Sequence, residues 1–157
     1  MSPQMNSHDA EVLGVIRRSK VARIATLSRN GRPSVNPLYF TCHQGHVWLG
    51  TVDWTLAARN VQADPRVSLL FEGECRPADD PLVRITGHAI VRTDPSTQRA
   101  YNLRVAFRYV LTPGAVRNSL QHFHQLKVRR AYHAQSGARG KACVIDVVPE
   151  RAEFLHP

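Results

Sequence analysis

Residues 51–71, TVDWTLAARNVQADPRVSLLF, place two hydroxyls and a guanidinium at spacings that suit an anion. Thr51 ends an extended stretch, and Thr55 and Arg59 stand four apart on one face of a helix. The amides that open a helix lack intrahelical partners and carry the positive end of its dipole, so they can take up a phosphate or carboxylate. Asp53 can accept from these amides as the N-cap; unless it is spent in that way, its carboxylate competes with an anion at the mouth. Leu56, Ala57, Asn60 and Val61 are expected to pack on a sheet. The plain alternative makes Asp53 only a cap, Thr55 a neutral first-turn residue and Arg59 a solvated charge. The first turn holds no lysine or arginine, so Arg59 is the nearest cation in sequence.

Other constellations offer less chemistry. His122 and His124 lie two apart in an expected helix and do not face one ligand. No nearby carboxylate or thiolate completes a metal set, so no metal is expected. His43 and His46 flank a turn and read as surface residues. Trp48 and Trp54 could wall a ring-binding pocket or simply pack. Arg104 and Arg108, beside Tyr101 and Tyr109, could meet an anionic substrate or a cofactor's tail, or form a solvated face. The chain has no G-x-G-x-x-G, G-K-[ST] or G-x-S-x-G sequence, which leaves dinucleotide-fold, P-loop and hydrolase readings without support.

The 157 residues suffice for one domain with a real core, and 43% apolar with 21% charged content is ordinary for a soluble globular protein. No apolar run reaches the roughly 18 residues of a membrane span, and the first residues, MSPQMNSHDAEVLG, carry no export pattern. Three scattered cysteines, Cys42, Cys75 and Cys143, fit free thiols in a reducing cytoplasm. The net charge of +9 is concentrated: Arg99 to Lys141 holds nine Lys plus Arg and no Asp or Glu. The remainder then has 21 − 9 = 12 basic residues against 12 acidic ones. Such a patch attracts anionic partners, nucleic acid among them, or serves as a solvated helical surface.

The elements that must position these residues follow from periodicity and turns. Residues 8–19 space Val12, Leu13, Val15 and Ile16 as an amphipathic helix. VARIATL (21–27), SVNPLYFT (34–41) and HVWLGTV (46–52) read as strands joined by turns at Asn30-Gly31 and Gln44-Gly45, both Asn30 and Gly31 tolerating positive φ. Pro37 has no N–H, so its strand must be an edge or bulged there, with backbone free to face something else. The helix after Asp53 must stop before Asp64-Pro65. RVSLLFE (66–72) and LVRITGHAIVRT (82–93) are further strands, with a bulge or bend at Gly87. Asp94-Pro95 opens a helix lined on one face by Leu103, Phe107 and Val110. Thr112-Pro113 opens another, with Val116, Leu120 and Phe123 inward. ACVIDVV and RAEFL, interrupted by Pro149, close the chain. Successive short strands with tight turns suggest an antiparallel barrel.

KVARIATLSRNGRPSVNPLYF, HVWLGTV and ARNVQADPRVSLLF together resemble the pyridoxamine-phosphate oxidase-like family, the flavin- and deazaflavin-binding split β-barrels. The resemblance covers residues 8 to about 93 and the closing ACVIDVVPERAEFL. It implies a mainly β fold with α: a six-stranded antiparallel split β-barrel with peripheral helices, forming a homodimer. The single domain 1–157 would comprise barrel strands and site helix (8–93), a basic helical segment (94–140) and a closing strand (141–157). It further implies a flavin- or deazaflavin-dependent oxidoreductase acting on a small organic substrate, with FMN or coenzyme F-420 as cofactor. Carried over by position, Asn36, Pro37, Leu38, Tyr39, Gly50, Thr51 and Thr55 would hold that cofactor, with Trp54 beside the ring and Arg59 as an anchor. Arg104, Arg108 and Tyr109 would meet the substrate or the cofactor's tail. The chain departs from the family's usual cations, having Asn36, Leu56 and Ala57 in their places. A haem-binding or otherwise non-catalytic barrel is the alternative that this departure favours, with a nucleic-acid-binding module behind it.

Overall fold

The computed structural model describes residues 10–72, 82–110 and 140–155. Helix α1 (Ala10–Arg18) leads into β1 (Val21–Leu27), β2 (Pro33–His43) and β3 (His46–Val52). Helix α2 (Leu56–Ala63) precedes β4 (Arg66–Phe71) and β5 (Leu82–Arg92). Helix α3 (Pro95–Val105) continues into a π-helical turn, Ala106–Val110, and β6 (Ala142–Leu155) ends the described chain. The strands form a closed antiparallel barrel in the order β1-β2-β3-β6-β5-β4. The six-stranded barrel inferred from the strand pattern is therefore what forms.

Burial alternates along β1, β4 and β5, while β3 and β6 are buried on both faces over part of their length. Ile24, Phe40, Leu49, Leu69, Phe71, Ile85, Ile145 and Val147 point inward and are almost fully buried, as the two-residue period of a strand requires. Phe40 and Phe71 meet edge to face with centroids 5.0 Å apart. Val12, Val15 and Ile16 of α1 join this core, which is why that helix is amphipathic. Among the described residues, no helix is long and apolar enough to cross a membrane.

Several expectations are refined. The turn after β1 is not a paired left-handed Asn-Gly: only Gly31 has positive φ (72°), and Gly31 N–H donates to the Ser28 carbonyl at 2.8 Å. Gln44 and Gly45, at φ 50° and 81°, make the turn in which both central residues are left-handed. Pro149 does not interrupt the last strand. Thr86 pairs with Arg151 and Gly87 with Pro149, so the irregularity is absorbed as a register shift and β6 runs on. A Cβ at Gly87 would overlap the Val148 carbonyl, which explains the glycine.

Helix α3 is capped as its sequence implies, Asp94 accepting from Thr97 N–H at 2.8 Å with Pro95 next. That bond and the Ser96 hydroxyl hold the Asp94 carboxyl far below the usual carboxylate range. The face that carries Leu103 and Phe107 does not pack on the barrel. Leu103 and Phe107 are 60% and 61% exposed, and Tyr101 is the buried residue, packed with Trp48 and Val144. Small Ala100 and Val105 flank Tyr101 against the sheet, so the helix docks on its aromatic ring rather than on its larger aliphatic residues. Cys75, the helix at Thr112-Pro113, His122, His124, and most of the basic run lie outside the described residues.

Candidate functional site

Strand β2 is paired unevenly. Pro33 to Tyr39 pairs with β1 in register from Leu27 to Val21, and Pro37 faces Arg23. On the other side β2 pairs with β3 only from Phe40 to His43. Because β3 turns away into α2 after Val52, no described strand covers that side of Pro33–Tyr39. A proline is tolerated there because one side of the strand has no ladder to complete. Tyr39 is 54% exposed, and Val35 and Pro37 share its outward face. Asn36 points the other way, and its side-chain oxygen is buried without a hydrogen-bond partner.

Across the split stands the junction of β3 and α2. The N-cap is Thr55, not Asp53: the Thr55 hydroxyl accepts from Ala58 N–H at 3.4 Å and donates to the Val52 carbonyl at 2.8 Å. Thr51 and Thr55 do meet, oxygen to oxygen at 3.0 Å. Asp53 is instead paired with the chain entering β6. Its carboxylate accepts from Lys141 N–H at 3.0 Å, and its own N–H donates to the Lys141 carbonyl at 3.0 Å. This removes the acid from the helix mouth. Gly140 passes so close to Asp53 and Trp54 that a Cβ there would overlap both. Leu56, expected to pack on the sheet, is 52% exposed, while Ala57, Ala58, Asn60 and Val61 are buried.

The α3 end of the split is closed by side chains whose polar groups already have partners. Tyr101 donates to the Tyr39 carbonyl at 3.1 Å, and its ring fills the space a Cβ on Gly50 would need. Gly50 therefore makes room for Tyr101. Burial raises the Tyr101 phenol to about 12. Tyr109 donates to the Phe40 carbonyl at 2.8 Å and meets Tyr39 edge on at 5.1 Å. Arg108 lies over the Phe40 ring at 4.4 Å and donates to the carbonyls of Ile16 at 2.9 Å and Ser19 at 2.8 Å. It thus ties down the end of α1, the positive charge complementing a helix C-terminus. Arg108 and Tyr109 have structural partners that the sequence reading did not give them, whereas Arg104 is exposed.

Arg59 faces elsewhere. With Leu56, Asn60, Gln62 and Ala63 of α2 it lines a pocket of about 360 Å³ against Ser28, Arg29 and Asn30 of the β1–β2 turn. None of Asn36–Tyr39, Thr51, Trp54 or Thr55 lines it. The sequence reading missed Arg29, Ser28, Asn30 and Gln62. The spacing of Leu56, Arg59, Asn60 and Ala63, at i, i+3, i+4 and i+7, marked the helical wall. A third cluster joins β3, β5 and β6: buried Asp146 accepts from His46 Nδ1 at 2.8 Å and from Arg92 Nε at 2.6 Å. Among the described residues, no group of three or more potential metal ligands occurs.

Comparison with known proteins places this geometry. No curated protein matches the chain. A conserved hypothetical protein of Mycobacterium tuberculosis is similar in structure, with a TM-score of 0.69 at 21% identity over 97% of this chain and 85% of that one. An F-420 reductase gives 0.60 at 18% identity, covering 89% of this chain and 94% of the other. HutZ, the haem storage protein of Vibrio cholerae, gives 0.62 at 16% identity, covering 94% and 93%. At these identities the likeness is one of fold. The family model for pyridoxamine 5'-phosphate oxidase matches residues 8–156. With that match spanning nearly all of its length, the chain belongs to the pyridoxamine 5'-phosphate oxidase family.

Proposed function

We propose that this protein is an oxidoreductase using a flavin or deazaflavin, FMN or coenzyme F-420, to act on a small organic substrate. The observation that carries this reading is the half-paired run of β2, with Asn36's orphaned oxygen on one face and exposed Tyr39 on the other. A buried polar atom without a partner costs roughly 1–3 kcal/mol, a cost that a bound ligand can remove. Family membership supports the same reading, as does the fold shared with an F-420 reductase.

The residues present suit a ring better than a phosphate. Pro37 and Leu38 supply backbone edge, and Tyr39 and Trp54 supply half-exposed aromatic surface able to exclude water from a ring. For the phosphate they offer the Asn36 amide, the Thr51 hydroxyl and the opening amides of α2, with no cation in its first turn. When bound, the cofactor would supply the redox chemistry, and the protein orients it and keeps the pocket dry. Arg104 remains available for an anionic substrate or tail. The apolar outward face of Val35, Pro37 and Tyr39 supports a homodimer with the site at its interface, and the free thiols support a cytoplasmic setting.

A haem-binding barrel without turnover is the second reading, and the uncharged pair Leu56-Ala57 at the helix start is what favours it. Visible-absorption titration of the purified protein with FMN, coenzyme F-420 and haem separates the two, followed by reduction with a nicotinamide or reduced deazaflavin donor. Saturable flavin or deazaflavin binding with turnover is expected. A spectral response to haem alone would overturn the oxidoreductase.

A further inference from the structure

The pocket between α2 and the β1–β2 turn has a composition that the cofactor reading does not use. Its walls carry two guanidinium groups, Arg29 from the turn and Arg59 from the helix, and none of its lining residues is a carboxylate. Neither guanidinium has a hydrogen-bond or ion-pair partner among the described residues. Other exposed arginines here do find acids: Arg66 pairs with Asp64 at 2.6 Å and Arg23 with Glu72 at 2.6 Å. Two unbalanced cations on facing walls repel each other unless an anion lies between them.

The walls are fixed relative to one another. Asn60 is buried, and its Nδ2 donates to Thr26 Oγ at 3.0 Å and Ser34 Oγ at 3.1 Å, the two hydroxyls lying 2.9 Å apart. These bonds staple α2 to both strands of the hairpin that carries Arg29. The hairpin turn is itself closed, Ser28 N–H donating to the Arg32 carbonyl at 3.0 Å. Ser28 Oγ accepts from Arg32 N–H at 3.1 Å, which leaves the hydroxyl proton to donate into the pocket. Asn30 and Gln62 add amide donors, and Leu56 with Ala63 add apolar surface. A preformed site of this kind loses little ordering entropy on binding.

We infer that this pocket is a binding site for a small phosphate monoester, held between Arg29 and Arg59 with its organic group on Leu56. A phosphate monoester carries about two negative charges at neutral pH, matching the two guanidinium groups. Its oxygens accept from planar forks on opposite walls. The volume of about 360 Å³ is at the small end for ligand sites, large enough for the phosphate and a few carbon atoms. The site requires no flavin and goes beyond the redox reading.

Isothermal titration of the full chain with inorganic phosphate and glycerol phosphate, in phosphate-free buffer at low ionic strength, tests this. Succinate at matched ionic strength is the comparator. The phosphate compounds should bind saturably, and Arg29→Ala or Arg59→Ala should each weaken them about tenfold or more, the scale for one charged hydrogen bond. Affinity for glycerol phosphate should fall as pH drops through about 6, where a phosphate monoester takes back its second proton. Both side chains are exposed, and circular dichroism should show Arg29→Ala folded. Equal affinity for succinate, or phosphate binding indifferent to Arg29→Ala, would overturn the site. So would a parallel loss of FMN or F-420 binding in Arg29→Ala, which would make the pocket part of the cofactor site. A flavin titration that fails while phosphate binding behaves as stated would instead count against the oxidoreductase alone.

Discussion

Helices α2 and α3 flank the same split in the barrel and carry similar equipment, yet they use it in opposite ways. On α3 and the turn after it, Tyr101, Arg108 and Tyr109 all donate to main-chain carbonyls, of Tyr39, Ile16, Ser19 and Phe40. Their polar groups complete backbone hydrogen bonds at β2 and at the end of α1. On α2 the buried amide of Asn60 does the fastening, while the Arg59 guanidinium has no partner among the described residues. Structural and ligand-seeking arginines therefore look alike in sequence and differ in what their backbone neighbours lack. Arg108 lies beside the end of α1 and bonds its carbonyls; the Arg59 guanidinium makes no such bond among the described residues.

Substitutions can break this contrast. The largest effect is expected on the α3 side: Gly50→Ala places a Cβ against the Tyr101 ring and should cost about 2–4 kcal/mol in denaturant unfolding, from overpacking and a lost hydrogen bond. Arg108→Ala removes carbonyl bonds and a ring contact and should cost about 2–3 kcal/mol without changing phosphate affinity. Thr55→Ala removes the α2 cap and should cost about 1 kcal/mol, read as a lower thermal midpoint. Arg59→Ala should change stability by less than about 0.5 kcal/mol, because it breaks no described contact. A destabilisation by Arg59→Ala as large as that by Arg108→Ala would erase the contrast.

Alkali sharpens the same comparison. Tyr101 is neutral in the folded protein up to about 12, while an unfolded tyrosine ionises near 10. Its contribution is thus fully present below pH 10 and is lost as pH rises from about 10 toward 12. Absorbance at the tyrosinate band should show the Tyr101 phenol titrating late, with Tyr109 also raised by burial, and Tyr101→Phe should remove the component near 12. A wild-type titration complete near pH 10 would mean the α3 contact is open in solution.

Much of the barrel was legible because its causes are local. Period-two burial in VARIATL and RVSLLF, turn glycines and the Asp94-Pro95 cap each act within a few residues. What escaped depends on contacts distant in sequence. Asp53 looked like a cap until Lys141, 88 residues on, was seen to take its carboxylate. Leu103 and Phe107 have helical spacing, yet only the sheet's Trp48 and Gly50 decide that Tyr101 is the buried residue. Of the candidate site, the half-free strand at Pro37 and the meeting of Thr51 with Thr55 could be read in advance. The pocket of Arg29 and Arg59 could not, since the Asn60 staple that joins its walls spans 34 residues.

The central claim is that the open side of β2 receives the cofactor, and Asn36→Leu tests it most directly. Asn36's oxygen has no partner among the described residues, so a leucine of similar size should leave the thermal midpoint unchanged or slightly raised. Visible titration with FMN and coenzyme F-420 should then show affinity about threefold to tenfold weaker than for the unaltered protein, the loss of one neutral hydrogen bond donated by the cofactor to the amide oxygen. Unchanged affinity for both cofactors in a folded Asn36→Leu protein would place their binding elsewhere and contradict the account.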